Sequence, residues 1–430
     1  MESIPTKHTQ QSYLFFWGGQ LFSLLGSSII QFVIVWWIAE GTRSLIYVSI
    51  AFFLSSLPMV IIPPIIGVFI DRWNRKLTIA LTDSLQAFIT LLIICFFIFD
   101  FANVWLVMSM NLFRGVCQSI HFPAVNVVIP LMIPKKNLSR MNAINYFFTG
   151  VIRVVGPLIA GSLLFFFAIE QILWVDIFTF FIAIFPLLIV RFPSIKLKEQ
   201  QIQEKSFIKD FKTGVSVLKS VRSLLILILF ISIINLLNMP FTTLMSLFII
   251  LNHSGAELQF ALVSAFLQAG IVIGALIALS KKNWKHKELI ILWSVLIGIA
   301  GYSLTTFAPK GNFLMIGIGA LIHASMIPIA NTMFLTIFQT KTPAETQGRV
   351  FSFIASMAAA VTPLGMIISG PLAELLSIVL LFIVSLYLQF ACLVFTWFFT
   401  SIKSVIEKEK NIEVTIMDDD LRLKPEQIEY

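Results

Sequence analysis

Charge is what this chain has least of. Asp, Glu, Lys and Arg make up 12% of its 430 residues, 58% are hydrophobic, and the mean hydropathy is +0.93. No soluble domain buries that much apolar surface within its own core. Cysteine is scarce as well. Cys95, Cys117 and Cys392 sit singly inside apolar runs, with no ligand spacing and no neighbouring base, so packing explains them and neither redox nor metal chemistry is expected. There is no GxxxxGK[ST] sequence and no hydrophilic stretch long enough for an ATPase, which argues against direct drive by ATP. Nor do the polar residues within the apolar runs pair as acid and base beside a metal or nucleophile. His121 and His323 stand alone there, as packing histidines do, so an enzyme is not expected and no cofactor is implied. The net charge of +8 would suggest nucleic acid in a soluble protein. Here the basic residues fall between apolar segments, a distribution that reports topology instead.

What is present is a series of apolar runs, each near the roughly 20 residues that a helix needs to cross a hydrocarbon core of about 30 Å. They predict helices at 14–39, 45–70, 77–99, 104–131, 143–168, 171–191, 223–251, 257–280, 288–308, 313–338, 350–374 and 377–402. The first run is too long for a signal-peptide core and lacks a basic leader, so it reads as a retained helix. With the amino terminus inside, only Arg43 and Lys310 fall in outside loops, and only Arg114 and Arg153 lie within spans, out of 30 Lys and Arg. The positive-inside rule therefore places both termini in the cytoplasm, which requires an even number of spans. Trp17, Trp36, Trp37, Trp105 and Trp174 lie near predicted span ends, where interfacial indoles are expected.

The expected organisation is a first half at 1–191, a cytoplasmic linker at 192–222, a second half at 223–402 and a cytoplasmic tail at 403–430. Within the linker, FIKDFKTGVSVL at 207–218 has apolar residues at helical spacing with lysines between, the pattern of a helix lying on an anionic membrane surface. The two halves repeat landmarks in the same order. Gly67 matches Gly274, PAVN at 123–126 matches PIAN at 328–331, and VVGPL at 154–158 matches AVTPL at 360–364. The nearly constant offset points to one duplication into two halves of parallel topology. Such halves enclose a substrate site near the midplane of the membrane.

Between the second and third runs the chain reads GVFIDRWNRK. Gly67 permits close helix approach, Asp71 ends the span, and Arg72, Arg75 and Lys76 can pair with it or with helix carboxyl ends. This resembles the loop signature of the major facilitator family, with Asn74 where that signature has a second glycine. Asn is also tolerated in the left-handed conformation. Arg114 in FRGVCQSIHFPA resembles the family's buried arginine of the fourth helix. GVIRVVGPLIAG at 150–161 resembles its exporter-associated signature, with Gly156, Pro157 and Gly161 in place. From GVFIDRWNRK through Asp83 and FRGVCQSIHFPAVNVVIP, and again from FIKDFKTGVSVLK to FQTKTPAETQGRVFS, the chain is similar to the macrolide-efflux subgroup of drug–proton antiporters, which also includes exporters of siderophores and other metabolites.

The resemblance implies an all-α membrane protein of twelve transmembrane helices in two pseudo-symmetric six-helix halves, in a bacterial plasma membrane. It implies export of a small amphipathic, macrolide-like compound by proton antiport, with a siderophore or metabolite exporter, or an uptake carrier, as alternatives. The expected partners are that small molecule, the proton and membrane lipid, with no nucleic acid, metal or obligate protein partner. The fold implies a cavity lined by helices 1, 4, 7 and 10, where Gln20, Gln31, Asn126, Asn235, Asn238, His323 and Asn331 are the candidates. The first run carries no carboxylate apart from Glu40, beyond its end, so Asp83 is the deepest one. Measured from the outer end at 1.5 Å per residue, Asp83 lies at about 21 Å, Arg114 at about 15 Å and His121 at about 25 Å. Arg114 is the expected partner of Asp83, with His121 also in reach, and the three are proton-coupling candidates.

Overall fold

The computed structural model describes residue 5 and residues 7–70, 73–192, 222–281, 284–341 and 361–399. They form helices α1 (Lys7–Thr42), α2 (Leu45–Ile70), α3 (Arg75–Ile98), α4 (Val104–Met132), α5 (Lys135–Phe166) and α6 (Ile169–Ile189). The second half continues with α7 (Arg222–Leu247), which ends in a π turn at Phe248–Asn252, then α8 (Glu257–Leu279), α9 (Lys287–Thr306) and α10 (Phe313–Lys341). After these come α11 (Val361–Leu376) and α12 (Ile378–Phe399). Eleven of these are long and apolar enough to span a membrane, and the described part of α11 is a shorter apolar helix. The predicted amphipathic stretch at 207–218, the tail and the first part of the eleventh span lie outside the described residues.

Polar residues at the loops set where the spans begin. The Asn74 side chain accepts a hydrogen bond from the Leu77 N–H at 3.2 Å, and that of Asn103 accepts from the Leu106 N–H at 2.9 Å. Each satisfies a backbone donor that an uncapped first turn leaves without a partner. Asn74 is extended, with φ −68° and ψ 105°. It therefore stands in the signature loop as a helix cap rather than as a left-handed substitute for glycine.

The helices are inside-out in their polarity. On α3, Leu77, Leu81, Leu85 and Phe88 are exposed, while Thr78, Thr82, Asp83, Gln86 and Thr90 on the opposite face are buried. On α6, Phe178, Phe181, Phe185 and Leu188 form an exposed apolar stripe. Apolar side chains outward and polar ones inward is the arrangement that lipid stabilises. Trp36 departs from its expected interfacial place. It is 3% exposed and stacks on Phe260 of α8 at 5.9 Å, because the far end of α1 is packed against the second half. Trp105 and Trp174 are exposed as interfacial indoles should be.

In the first half α1 packs on α5 and α6, α2 on α4, and α3 on α4 and α6. In the second, α10 packs on α8 and α9, and α12 on α7 and α9. The repeated landmarks fall six helices apart, on α2 and α8, α4 and α10, and α5 and α11. Small residues set the closest approaches. A Cβ on Gly274 would lie 2.7 Å from the Ser325 carbonyl carbon, so α8 meets the backbone of α10 directly. The halves meet chiefly through α5 and α8, with α7 against α1 and α2. At the end away from the termini the two halves share one apolar core, which includes Phe32, Trp36, Phe241, Phe248, Phe260 and Phe382. At the terminal end each half has its own core, one around Tyr13, Phe16 and Met132, the other around Leu227, Phe230 and Ile337. The described helices are thus joined at one end and separately packed at the other.

Candidate functional site

The buried face of α3 meets a polar face of α4 on which Arg114 and His121 are seven residues apart. Asp83 and Thr90 on α3 have the same spacing, about 10 Å along each axis. Because α3 and α4 run antiparallel, two polar layers result. In the layer nearer the termini, His121 Nε2 lies 3.0 Å from Asp83 Oδ1. The Gln20 amide closes this layer from α1. Its Nε2 donates to Asp83 Oδ2 at 3.3 Å, and its Oε1 lies 3.1 Å from His121 Nε2. In the other layer, Arg114 Nη1 pairs with Asp176 Oδ2 of α6 at 2.6 Å, and the Thr90 hydroxyl donates to the same oxygen at 2.6 Å. Arg114 also contacts the Thr90 hydroxyl. Asp83, Arg114 and Asp176 are 4%, 6% and 6% exposed, so each charge depends on its partner.

The partner of Asp83 therefore differs from the expected one. It is His121, whose axial depth lies closer to that of Asp83, while the longer Arg114 side chain turns outward to Asp176. From the sequence Asp176 ranks next to Asp83 in depth, near the outer end of the sixth run, but its pairing with Arg114 went unrecognised, as did Thr90, although the threonine falls two turns along α3 from Asp83 and opposite Arg114.

Arg114 also borders a cavity of about 420 Å³ between the halves, within the range of small-molecule sites. Its walls come from Gln31 and Phe32 on α1, Phe52 on α2, Gln86 on α3, Gln118 on α4, Arg153 and Pro157 on α5, and Phe260 and Gln268 on α8. Of the cavity candidates read from the sequence, Gln31 lines it. Gln20 belongs to the Asp83 layer, and Asn126 borders neither this cavity nor the smaller one. Asn235, Asn238, His323 and Asn331 instead line a second cavity, about 50 Å³, inside the second half among α7, α9, α10 and α12. It has room for one or two waters. There, His323 Nδ1 is 2.9 Å from the Gly298 carbonyl and donates to it, so Nε2 is left as an acceptor. Neither it nor Asn238 Oδ1 has a partner among the described residues.

Of the residues read as a latch, Asp71 and Arg72 lie outside the described residues, and Gly67 falls in the last turn of α2. Arg75 and Lys76 open α3. The Lys76 ammonium donates to the Leu188 and Val190 carbonyls at 2.6 and 3.0 Å, a cation placed at the carboxyl end of α6 as the helix dipole favours. Gly156 packs against Ser28 of α1. Gly161 faces α8, where an added Cβ would meet the Ala261 side chain and stand 3.1 Å from the Glu257 carbonyl oxygen. Among the described residues no three His, Cys, Asp or Glu are grouped to hold a metal ion.

Twelve apolar helices among the described residues, in two matching halves with a cavity between them and buried Arg114–Asp176 and Asp83–His121 pairs at membrane depth, define a polytopic membrane carrier. The family model of the Major Facilitator Superfamily matches residues 16–362, and the chain belongs to that family. It is 27% identical over 360 residues to macrolide efflux protein A of Streptococcus pyogenes, covering 83% of this chain and 88% of that one. It is 26% identical over 315 residues to the macrolide efflux protein A of Enterococcus faecalis, covering 73% and 97%. Among solved structures, the nucleoside transporter NupG superposes with a TM-score of 0.72 at 11% identity, covering 90% of this chain and 98% of that one, a likeness of fold alone.

Proposed function

We propose that this protein is a secondary exporter that moves a small amphipathic compound out across a bacterial plasma membrane in exchange for protons, by alternating access. The observation that carries the reading is a drug-sized cavity between the halves whose wall includes Arg114 of one buried polar layer on α3 and α4, with the Asp83–His121 layer next to it along the same two helices. Imidazole is the side chain whose charge changes most readily near neutral pH. A proton delivered to the Asp83–His121 pair changes what Gln20 of α1 is bonded to, and α1 also lines the cavity. Both termini are cytoplasmic in this reading, so the separately packed end faces the cytoplasm and the structure corresponds to an inward-facing state. Residues 1–191 and 223–402 are the moving halves, 192–222 the linker and 403–430 the tail. Gly67, Asp71, Arg72, Arg75 and Lys76 serve the cytoplasmic latch. Gly156, Pro157 and Gly161 let α5 shift against its neighbours.

The names of the relatives make a macrolide the first compound to assay. In inverted membrane vesicles with an acidified lumen, a labelled compound that the protein exports should accumulate, and a protonophore should abolish the accumulation. Accumulation that persists without a proton gradient would contradict the coupling, and movement only down the substrate's own gradient would support a facilitated carrier.

A further inference from the structure

Arg153 has no role in the account so far, yet it is a charged side chain deep within a membrane span. It lies thirteen residues into the span that begins at Arg140, about 20 Å along the axis, where a cation must face water or an opposite charge. It is exposed and forms part of the cavity wall, and it makes no ion pair among the described residues. The other cation of that wall, Arg114, is neutralised by Asp176. Among the described residues no Asp or Glu lines the cavity. The cavity is therefore positive through one guanidinium, with the amides of Gln31, Gln86, Gln118 and Gln268 around it and the rings of Phe32, Phe52 and Phe260 beside them. Gln268 Oε1 is buried without a partner, an acceptor left for a donor on a guest.

We infer that the cavity takes an amphipathic anion, a carboxylate carried on an apolar ring system, with Arg153 as its counter-ion. The inference rests on the reading of this cavity as the substrate's site and narrows the substrate's class. A guanidinium binds a carboxylate through two parallel hydrogen bonds, the phenylalanines cover the rings, and Gln268 accepts from a hydroxyl or N–H at the far end of the guest. A protonated amine, such as macrolides carry, would meet Arg153 with the same sign and find no carboxylate among the described residues of the wall.

Two dyes sharing one ring skeleton test this: fluorescein, which carries a carboxylate and a phenol, and rhodamine 123, a cationic methyl ester. Binding is read by fluorescence anisotropy on the purified full chain in nanodiscs, and export by loss of dye from preloaded cells. Wild-type protein is expected to bind fluorescein in preference to rhodamine 123. Arg153→Gln should weaken fluorescein binding about tenfold or more, and Arg153→Lys only a few-fold, since it keeps the charge and loses the fork. Arg153→Glu should invert the preference. Size-exclusion profiles establish that each variant is folded, and the lysine variant separates loss of charge from loss of structure.

Preference for rhodamine 123 in the wild type, binding of neither dye, or fluorescein binding indifferent to Arg153→Gln in a folded protein would each overturn the anion assignment. Export of rhodamine 123 would do so while leaving the exporter reading standing. Fluorescein bound through Arg153 but not exported would uphold the assignment and count against export.

Discussion

Asp176→Ala would leave the Arg114 guanidinium, 6% exposed, without its carboxylate in the middle of the first half. The pair is direct, at 2.6 Å, and the Thr90 hydroxyl that also bonds Asp176 would keep only the Gln86 carbonyl as acceptor. Removing one partner of a buried pair costs about 3–5 kcal/mol, mostly for the charge left behind. At about 1 °C per kcal/mol for a chain of this size, the unfolding midpoint should fall by about 3–5 °C. Removing both charges in Arg114→Met with Asp176→Leu should recover most of that loss, since a buried pair replaced by apolar groups is often neutral. Asp83→Asn is the matched control. The amide oxygen can still accept from His121 Nε2, so the cost should be about 1 kcal/mol. The assay is fluorescence-detected size exclusion after heating, in one detergent for all variants. An Asp176→Ala midpoint within about 1 °C of wild type, or a double variant worse than the single one, would show that Arg114 is not held by this pair.

Gly161→Leu should push α5 off α8, because the side chain would enter the space of Ala261 and the Glu257 carbonyl; cysteine pairs across α5 and α8 should then cross-link more slowly. Just beyond α7, His253 Nδ1 accepts from the Gly311 N–H at 3.2 Å. Burial holds its pKa below the usual imidazole value, ahead of the opposing hydrogen bond to Pro309 and the repulsion from Lys310. The folded state thus binds fewer protons than the unfolded one, so the clamp contributes above about pH 6.5 and is lost as pH falls through the lowered folded value. The protection factor of the Gly311 amide, the exchange rate of an unstructured amide at the same pH divided by its own, should fall on acidification in wild type and show no such fall in His253→Asn. Spin labels at Phe211 and Val215 should report lipid and those at Lys209 and Lys212 water; uniform water exposure would show a plain linker at 207–218.

The spans were legible because lipid imposes a composition that needs no tertiary knowledge, and their two-half order because the landmarks repeat. The depth of Asp83 was legible by counting residues. Its partner was harder, since Arg114 and His121 lie two turns apart on one face of α4 and both come within a side chain's reach of Asp83. The choice depended on Asp176, which approaches from α6 and which its position near the start of that helix made look peripheral. Trp36 misled for a related reason. Its place near a span end is interfacial only if lipid surrounds it, and α8 does instead. The cavity candidates followed a general scheme of four lining helices. In this state α2, α5 and α8 also enclose the cavity, while Asn235, Asn238, His323 and Asn331 turn into the second half.

The central claim is that the Asp83–His121 layer couples protons to substrate movement. It is tested most directly by a pH-sensitive dye in inverted vesicles whose lumen has been acidified by respiration. Addition of a transported compound to wild-type vesicles should partly collapse the gradient as protons leave in exchange. Vesicles with equal amounts of Asp83→Asn should show no collapse while still exchanging labelled for unlabelled substrate. A gradient collapse in Asp83→Asn equal to that of wild type would contradict the account.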